Sequence, residues 1–292
     1  MRILVTGSSG QLGAAVARLL APDHRVLGLD RVPGSETTHT GDLADSALIA
    51  ALVAQVEVVI HTASLHARHL TEATKESFIV TNVAGTQGLL TAAASGLRRF
   101  VYTSSTSVYG DALVPTDRAV WVTERLIPQP RDIYDVTKLA AERLCHLFHR
   151  ETGIPTVCLR VGRFFPEPPE LLAAQRLYRG LDPRDAAEAH RLAATVAGVD
   201  FGLYNIAAQS PFSETDTPEL MRDAATVIRR HEPQAEGAFA RQGWRLPARI
   251  DRVYVIERAA RALGYRPRHN FADFLREYEQ EAEREGVASA PE

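Results

Sequence analysis

Arg2 to Gly13, reading RILVTGSSGQLG, constrains this chain more than any other stretch. Ile3, Leu4 and Val5 form the short apolar run of a strand buried on both faces. Gly7, Gly10 and Gly13 follow at three-residue intervals, and helical periodicity runs from Leu12 to Leu20. Strand, glycine turn and helix start, in that order, make a phosphate cradle. The first glycine permits the tight turn, the second lets a pyrophosphate approach the backbone, and the third lets helix pack on strand. Ser9, Gln11 and Leu12 lie on the same turn, where backbone N–H groups and the helix dipole face the anion. Asp30 ends the next apolar run, Arg25 to Leu29, about 20 residues further on. A carboxylate there accepts hydrogen bonds from a ribose 2′-hydroxyl and repels a 2′-phosphate. The residues point to NAD rather than NADP, with Arg31 beside Asp30 pulling the other way.

Beyond the turn, strand and helix patterns alternate. Helices are predicted over Leu12–Leu20, Ser46–Ala54 with Asp45 as cap, Lys75 to Ser95, Ile133 to Glu151, Leu220–Arg230 and Tyr254–Leu263. Strands are predicted over Arg25–Leu29, Glu57–His61, Arg99–Thr103 and Thr156–Leu159. Gly264 suits a helix C-cap, Gly237–Pro247 reads as a loop or short helix over the site, and Glu277–Glu292 as a charged, fraying tail. The order predicts an α/β fold, a Rossmann-type doubly wound parallel sheet with right-handed crossovers. Residues 1–160 would form the dinucleotide-binding core. Residues 161–292 would complete it and add a small C-terminal substrate lobe. Ligands gather at the carboxyl ends of such strands. Here those ends carry Gly7, Asp30, Thr62, Ala63, Ser64, Thr103, Ser105 and Val161.

The 292 residues carry a net charge of −3, which gives no reason to expect a nucleic acid or an anionic membrane as partner. No apolar run reaches the roughly 18 residues of a membrane span, and the first strand begins at once, so no leader is expected. Cys145 and Cys158 lie in apolar surroundings and read as reduced core thiols of a cytoplasmic protein. The histidines show no metal spacing, and His146, His149 and His190 read as helix-surface residues.

The chemistry lies in two places. Ser104 and Ser105 end the fourth strand, and Tyr134-Asp135-Val136-Thr137-Lys138 opens a helix. A tyrosine and a lysine four apart share one helix face. A free tyrosine titrates near pH 10, and a neighbouring ammonium with an oxidised nicotinamide ring favours its phenolate. Such a phenolate takes a proton from a carbinol while hydride leaves to the cofactor, and a serine hydroxyl orients the substrate oxygen.

With these residues in view, the chain resembles the extended short-chain dehydrogenases/reductases of the NAD-dependent epimerase/dehydratase family. The resemblance rests on Thr6 to Gly13, Gly41-Asp42-Leu43, His61 to Ser64, Asn82 in Thr81 to Thr86, Phe100 to Gly110, Tyr134 to Lys138 and Leu263 to Pro267. It implies Ser105 as the catalytic serine, Tyr134 as general base and Lys138 as its partner. It places Asp42 and Leu43 by the adenine, Ala63 along the cofactor, and Asn82 in support of the active-site architecture. It also implies a homodimer through helices near Asn82–Ala94 and Tyr134–Phe148.

One departure bears on substrate. Only 17 residues separate Pro166 from Arg184-Asp185, which resembles the family's motif opening a later helix. That leaves little room for a nucleotide-sugar lobe. The short form, with Pro166-Glu167-Pro168, is similar to uronate dehydrogenases, which oxidise a free sugar acid and hold its carboxylate with a downstream arginine. Arg176 is the nearest candidate, and His66, Arg68 and Arg163 are further pocket candidates. The expected activity is NAD-dependent oxidation or reduction at a carbinol or carbonyl of a sugar or sugar-like molecule. The alternatives are a nucleotide-sugar 4-epimerase with tightly bound NAD, and a non-catalytic NAD sensor. Ser105, Tyr134 and Lys138 argue against the sensor, which has no use for an activated tyrosine.

Overall fold

The computed structural model describes residues 1–94 and 96–288. Ser95 and residues 289–292, at the ends of two of the expected segments, lie outside the described residues. Seven parallel strands form the central sheet: β1 (Arg2–Thr6), β2 (Arg25–Asp30), β3 (His39–Thr40), β4 (Val58–His61), β5 (Arg99–Ser105), β7 (Thr156–Val161) and β8 (Phe201–Ile206). Their order is β3-β2-β1-β4-β5-β7-β8. The reversal between β1 and β4 opens the crevice in which such sheets bind ligands. Strand β8 was not expected, because Gly202 and Asn205 interrupt its apolar run. Buried Asn205 accepts from the Tyr109 hydroxyl at 2.7 Å, so a polar residue is tolerated there.

Helices α1 (Gln11–Leu20), α2 (Ser46–Val53), α3 (Lys75–Phe78), α4 (Gly85–Ala93), α5 (Ile133–Thr152) and α7 (Pro183–Thr195) cover the two faces. Ile3 and Val5 pack on one side with Val16, Ile60 and Ala186. Leu4 packs on the other with Leu52, Leu89 and Cys145, which is why Ile3, Leu4 and Val5 are all apolar. Asp45 caps α2 through the Leu48 N–H at 3.0 Å, and Asp132 caps α5 through the Asp135 N–H at 2.9 Å.

The helix expected from Lys75 to Ser95 is interrupted by one wide π-turn, Ile79–Ala84. The turn swings Asn82 inward, where its amide accepts from Leu65 N–H and donates to Leu65 O, each at 2.8 Å. A further bond to Thr137 Oγ1 at 3.0 Å ties the turn to α5. Three tertiary hydrogen bonds outweigh regular helix geometry here.

A second apolar cluster, including Phe212, Leu220, Val227, Phe239, Val253 and Phe271, forms the core of a small lobe. It is built from α6 (Pro169–Arg176), α8 (Thr217–Leu220), α9 (Ala224–His231), α10 (Ala235–Arg241), α12 (Phe271–Ala288) and a two-stranded parallel pair, β6 (Val120–Val122) with β9 (Arg252–Tyr254). The helix expected over Leu220–Arg230 is therefore two helices, because Asp223 starts the second by capping Thr226 N–H at 3.1 Å. The one expected from Tyr254 begins only at Glu257, as α11 (Glu257–Ala262), because Arg252–Tyr254 pairs with β6. Gly264 follows it with φ +71°, the left-handed cap conformation.

Candidate active site

One cleft of about 630 Å³ runs across the carboxyl ends of β1, β2, β4, β5 and β7. Gly7, Gly10, Gln11, Leu12 and Gly13 line its floor, and Asp30, Asp42 and Leu43 line one end. Thr62, Ala63, Ser64, Thr103, Ser105, Tyr134, Lys138 and Val161 continue the wall. The cradle has no room for side chains. Gly7 sits at φ +76°, and a Cβ at Gly13 would stand 2.0 Å from Gly7 O. Ser9 does not line the cleft; its N–H donates to Asp30 Oδ2 at 3.0 Å and holds that carboxylate at the rim. A dinucleotide fits this arrangement, with its pyrophosphate over the turn and a ribose at Asp30.

At the other end, Tyr134 and Lys138 project from the first turns of α5 against β5. Burial pushes the Tyr134 phenol up to about 12, against the opposing pull of the Ser105 hydroxyl. Burial also brings the Lys138 ammonium down to about 7. Lys138 Nζ donates to Thr103 O at 2.8 Å and stands 6.0 Å from the Tyr134 ring centre. The lowered tyrosine expected from the sequence is thus not a property of the chain alone, where desolvation outweighs a neighbour that is itself desolvated. Ser105 Oγ accepts from Ser107 N–H at 3.1 Å, which fixes the serine on its loop.

Three of the sequence candidates stand elsewhere. Ser9 and Asn82 act behind the cleft wall through the bonds described above. Arg176 does not reach the cleft. It is buried, and its Nη2 lies 2.9 Å from Asp182 at a separate cavity beside Phe274 and Tyr278. His190 is not on the surface but fully buried, donating from Nδ1 to Ala186 O at 2.7 Å and accepting from Thr103 Oγ1 at 2.8 Å. The reason is that α7 lies flat on the sheet and His190 faces it. His146 is exposed and His149 half-buried, as expected.

His66 and Arg163 do line the cleft. The His66 ring stacks on Phe165 at 5.5 Å, its Nδ1 is buried without a partner, and burial holds it down at about 4. Arg163 is neutralised by Glu167, with Nε–Oε1 at 2.8 Å. The cleft residues that the sequence does not mark include Arg131, Arg179, Arg252 and Tyr254. They come from loops and from the small lobe, and no local spacing marks them. Arg252 is held by Asp251 at 3.0 Å. Arg179 is different. Its Nε is buried without a partner, its guanidinium lies over the Tyr178 ring at 5.4 Å, and among the described residues it forms no ion pair.

Fold and cleft together define a Rossmann-type dinucleotide-binding protein. The chain belongs to the NAD dependent epimerase/dehydratase family, which matches residues 3–177, and within it has the character of an extended short-chain dehydrogenase/reductase. NAD is the cofactor of this family. Over 173 residues the chain is 35% identical to a 3-beta-hydroxysteroid dehydrogenase of Mycolicibacterium neoaurum, covering 54% of this chain and 46% of the relative. Over 178 residues it is 32% identical to the uronate dehydrogenase of Agrobacterium fabrum, covering 57% and 63%. The match thus spans about half the length of the steroid dehydrogenase. A short-chain dehydrogenase/reductase superfamily protein from Agrobacterium tumefaciens, crystallised with NAD, shares the fold at a TM-score of 0.73 and 24% identity, covering 99% and 98% of the two chains. No helix among the described residues is long and apolar enough to cross a membrane.

Proposed function

We propose that this protein is an NAD-dependent dehydrogenase acting on a carbinol of a small sugar acid. Arg179 is the observation that carries the substrate class: a half-buried guanidinium that lines the cleft, forms no ion pair among the described residues, and has its carboxylate neighbour Asp251 already held by Arg252, calls for an anionic oxygen group. The cleft volume supports a small substrate, since about 630 Å³ has to hold both dinucleotide and substrate. The uronate dehydrogenase relative agrees with both points.

NAD, when bound, would supply the hydride acceptor and the positive charge of its oxidised ring. The chain's own residues do the rest. Ser105 orients the substrate oxygen, and Tyr134 Oη takes the carbinol proton. Lys138 stabilises the phenolate and holds ribose hydroxyls. Arg179 grips the carboxylate, and the His66 ring, stacked on Phe165, shapes the wall of the substrate pocket. Residues 1–160, apart from β6, which joins the small lobe, serve as the cofactor core. Residues 161–292 complete the sheet with β8 and close the substrate end through β9 and the small lobe.

A homodimer belongs to the same reading. Val136 and Leu147, about three turns apart on α5, are exposed apolar side chains on one helix face, and Ile79 and Val80 are exposed beside α4. Sedimentation should show a dimer that Val136→Glu with Leu147→Glu dissociates; a monomeric wild-type protein would remove this part. The two buried thiols fit a reducing, cytoplasmic setting.

The test is near-ultraviolet absorbance of NADH with purified protein, NAD and a panel of uronic acids, neutral aldoses, sterols and nucleotide sugars. Sustained NADH formation with a uronic acid is expected. Arg179→Gln should raise KM for that acid about ten- to a hundredfold, the value of one charge-assisted hydrogen bond, with kcat little changed. A new nucleotide-sugar stereoisomer without NADH would replace the dehydrogenase by a 4-epimerase. NAD binding without turnover on any compound would favour a sensor.

A further inference from the structure

The buried ammonium of Lys138 poses a question that the Tyr134–Lys138 pairing leaves open. Lys138 is 3% exposed, and among the described residues it has no ion pair. The carboxylate one turn further along the helix, Glu142, is shared with other donors. Glu142 accepts from Arg160 Nε at 2.8 Å and Nη2 at 2.7 Å, and from Ser104 Oγ at 2.6 Å. What the ammonium does meet, besides Thr103 O, is the ring of Tyr102, 5.0 Å from Nζ to the ring centre. Tyr102 sits on β5, 1% exposed, and the His61 ring packs on it at 5.7 Å. Its hydroxyl is buried and has no hydrogen-bond partner. A tyrosine with an idle hydroxyl and a cation over its ring serves through the ring.

We infer that Tyr102 is a positioning residue for catalysis, whose ring face holds the Lys138 ammonium charged and in place beneath Tyr134. The inference rests on the reading of Tyr134 as general base. The charged and titratable groups that face Lys138 are Tyr102 from β5, His61 from β4, His66 from the loop after it, and Tyr134, Glu142 and Cys145 from α5. Of these, His61 and His66 are held neutral by burial; Glu142, shared with Arg160, favours the ammonium from one turn away, and the Tyr102 ring is the attractive face closest to Nζ after Thr103 O. Weakening that attraction makes Lys138⁺ less stable. The Tyr134 phenolate loses support, and the acidic limb of kcat/KM moves to higher pH.

The experiment is a set of replacements at position 102 in the NAD-loaded protein. Tyr102→Phe keeps the ring and should keep the pH profile. Tyr102→pentafluorophenylalanine keeps the shape and removes the electron-rich face. It should move the acidic limb up by about one pH unit, the size of a desolvated cation–π contact. Tyr102→Leu should do the same if it folds, and the fluorinated variant stands if it does not. A second readout needs no turnover. Ultraviolet difference titration of the NAD complex, with Tyr134→Phe as the blank, should show Tyr134 ionising at higher pH in the fluorinated variant. Coincident profiles for Phe and pentafluorophenylalanine would overturn the inference, as would loss of activity in Tyr102→Phe. Full activity of Tyr134→Phe would instead sink the general-base reading, and the titration would still decide whether Tyr102 supports Lys138.

Discussion

The Ser9 N–H donates to Asp30 Oδ2 at 3.0 Å, and this bond ties the phosphate turn to the end of β2. The other carboxylate oxygen accepts from Val32 N–H at 3.2 Å. Both bonds hold the carboxylate at the rim of the cleft. Asp30→Ser should weaken NAD binding about ten- to a hundredfold, the value of hydrogen bonds to a charged acceptor. NADP binding should improve, because the repulsion is gone and Arg31 remains at the rim. Fluorescence titration with both dinucleotides measures the ratio. An unchanged preference would show that Asp30 does not read the ribose.

Tyr134→Phe removes the proton acceptor and leaves the packing of α5. Turnover should fall about 10²- to 10⁴-fold, the usual contribution of a positioned acid–base group, while NAD affinity stays nearly constant. Equal losses in both would mean that Tyr134 holds the cofactor rather than the proton.

Among the described residues the Glu142–Arg160 pair is the most buried ion pair, with side chains 2% and 3% exposed. Replacing one partner strands the other. Glu142→Leu should cost about 3–5 kcal/mol in urea unfolding, whereas a surface pair such as Arg229–Glu236 should be worth under about 1 kcal/mol. Loss of less than about 1 kcal/mol at Glu142 would mean that the site relaxes or hydrates.

Acid should destabilise the fold through its buried histidines. Burial holds His190 at about 4, below its ordinary 6.5. Between those values the unfolded chain binds a proton that the native protein refuses, so stability is lost as pH falls from 6.5 to about 4. His61, held down at about 3 by burial and by the Lys138 charge, extends the loss further. His190→Gln should unfold at lower temperature at pH 7, yet show a flatter melting temperature across that window. A slope equal to that of the unaltered protein would exonerate His190.

What could be read from the sequence was whatever depends on neighbours within about a turn or a strand. The all-apolar Ile3-Leu4-Val5, the glycines at 7, 10 and 13, Asp45 before α2 and the Tyr134/Lys138 spacing each encode their own local geometry. So the strand–turn–helix cradle and the α5 pair were legible, and the family resemblance followed from them. The fates of polar side chains were not. Arg176 and Arg179 lie three residues apart with similar surroundings in sequence, yet one is bound by Asp182 outside the cleft and the other faces the cleft unpaired. Asn82 turns inward only because Leu65 and Thr137 are there to meet it. His190 is buried only because α7 lies on the sheet over Thr103. A buried polar group is decided by its partner, and those partners stand far away along the chain. Tertiary structure alone brings them together.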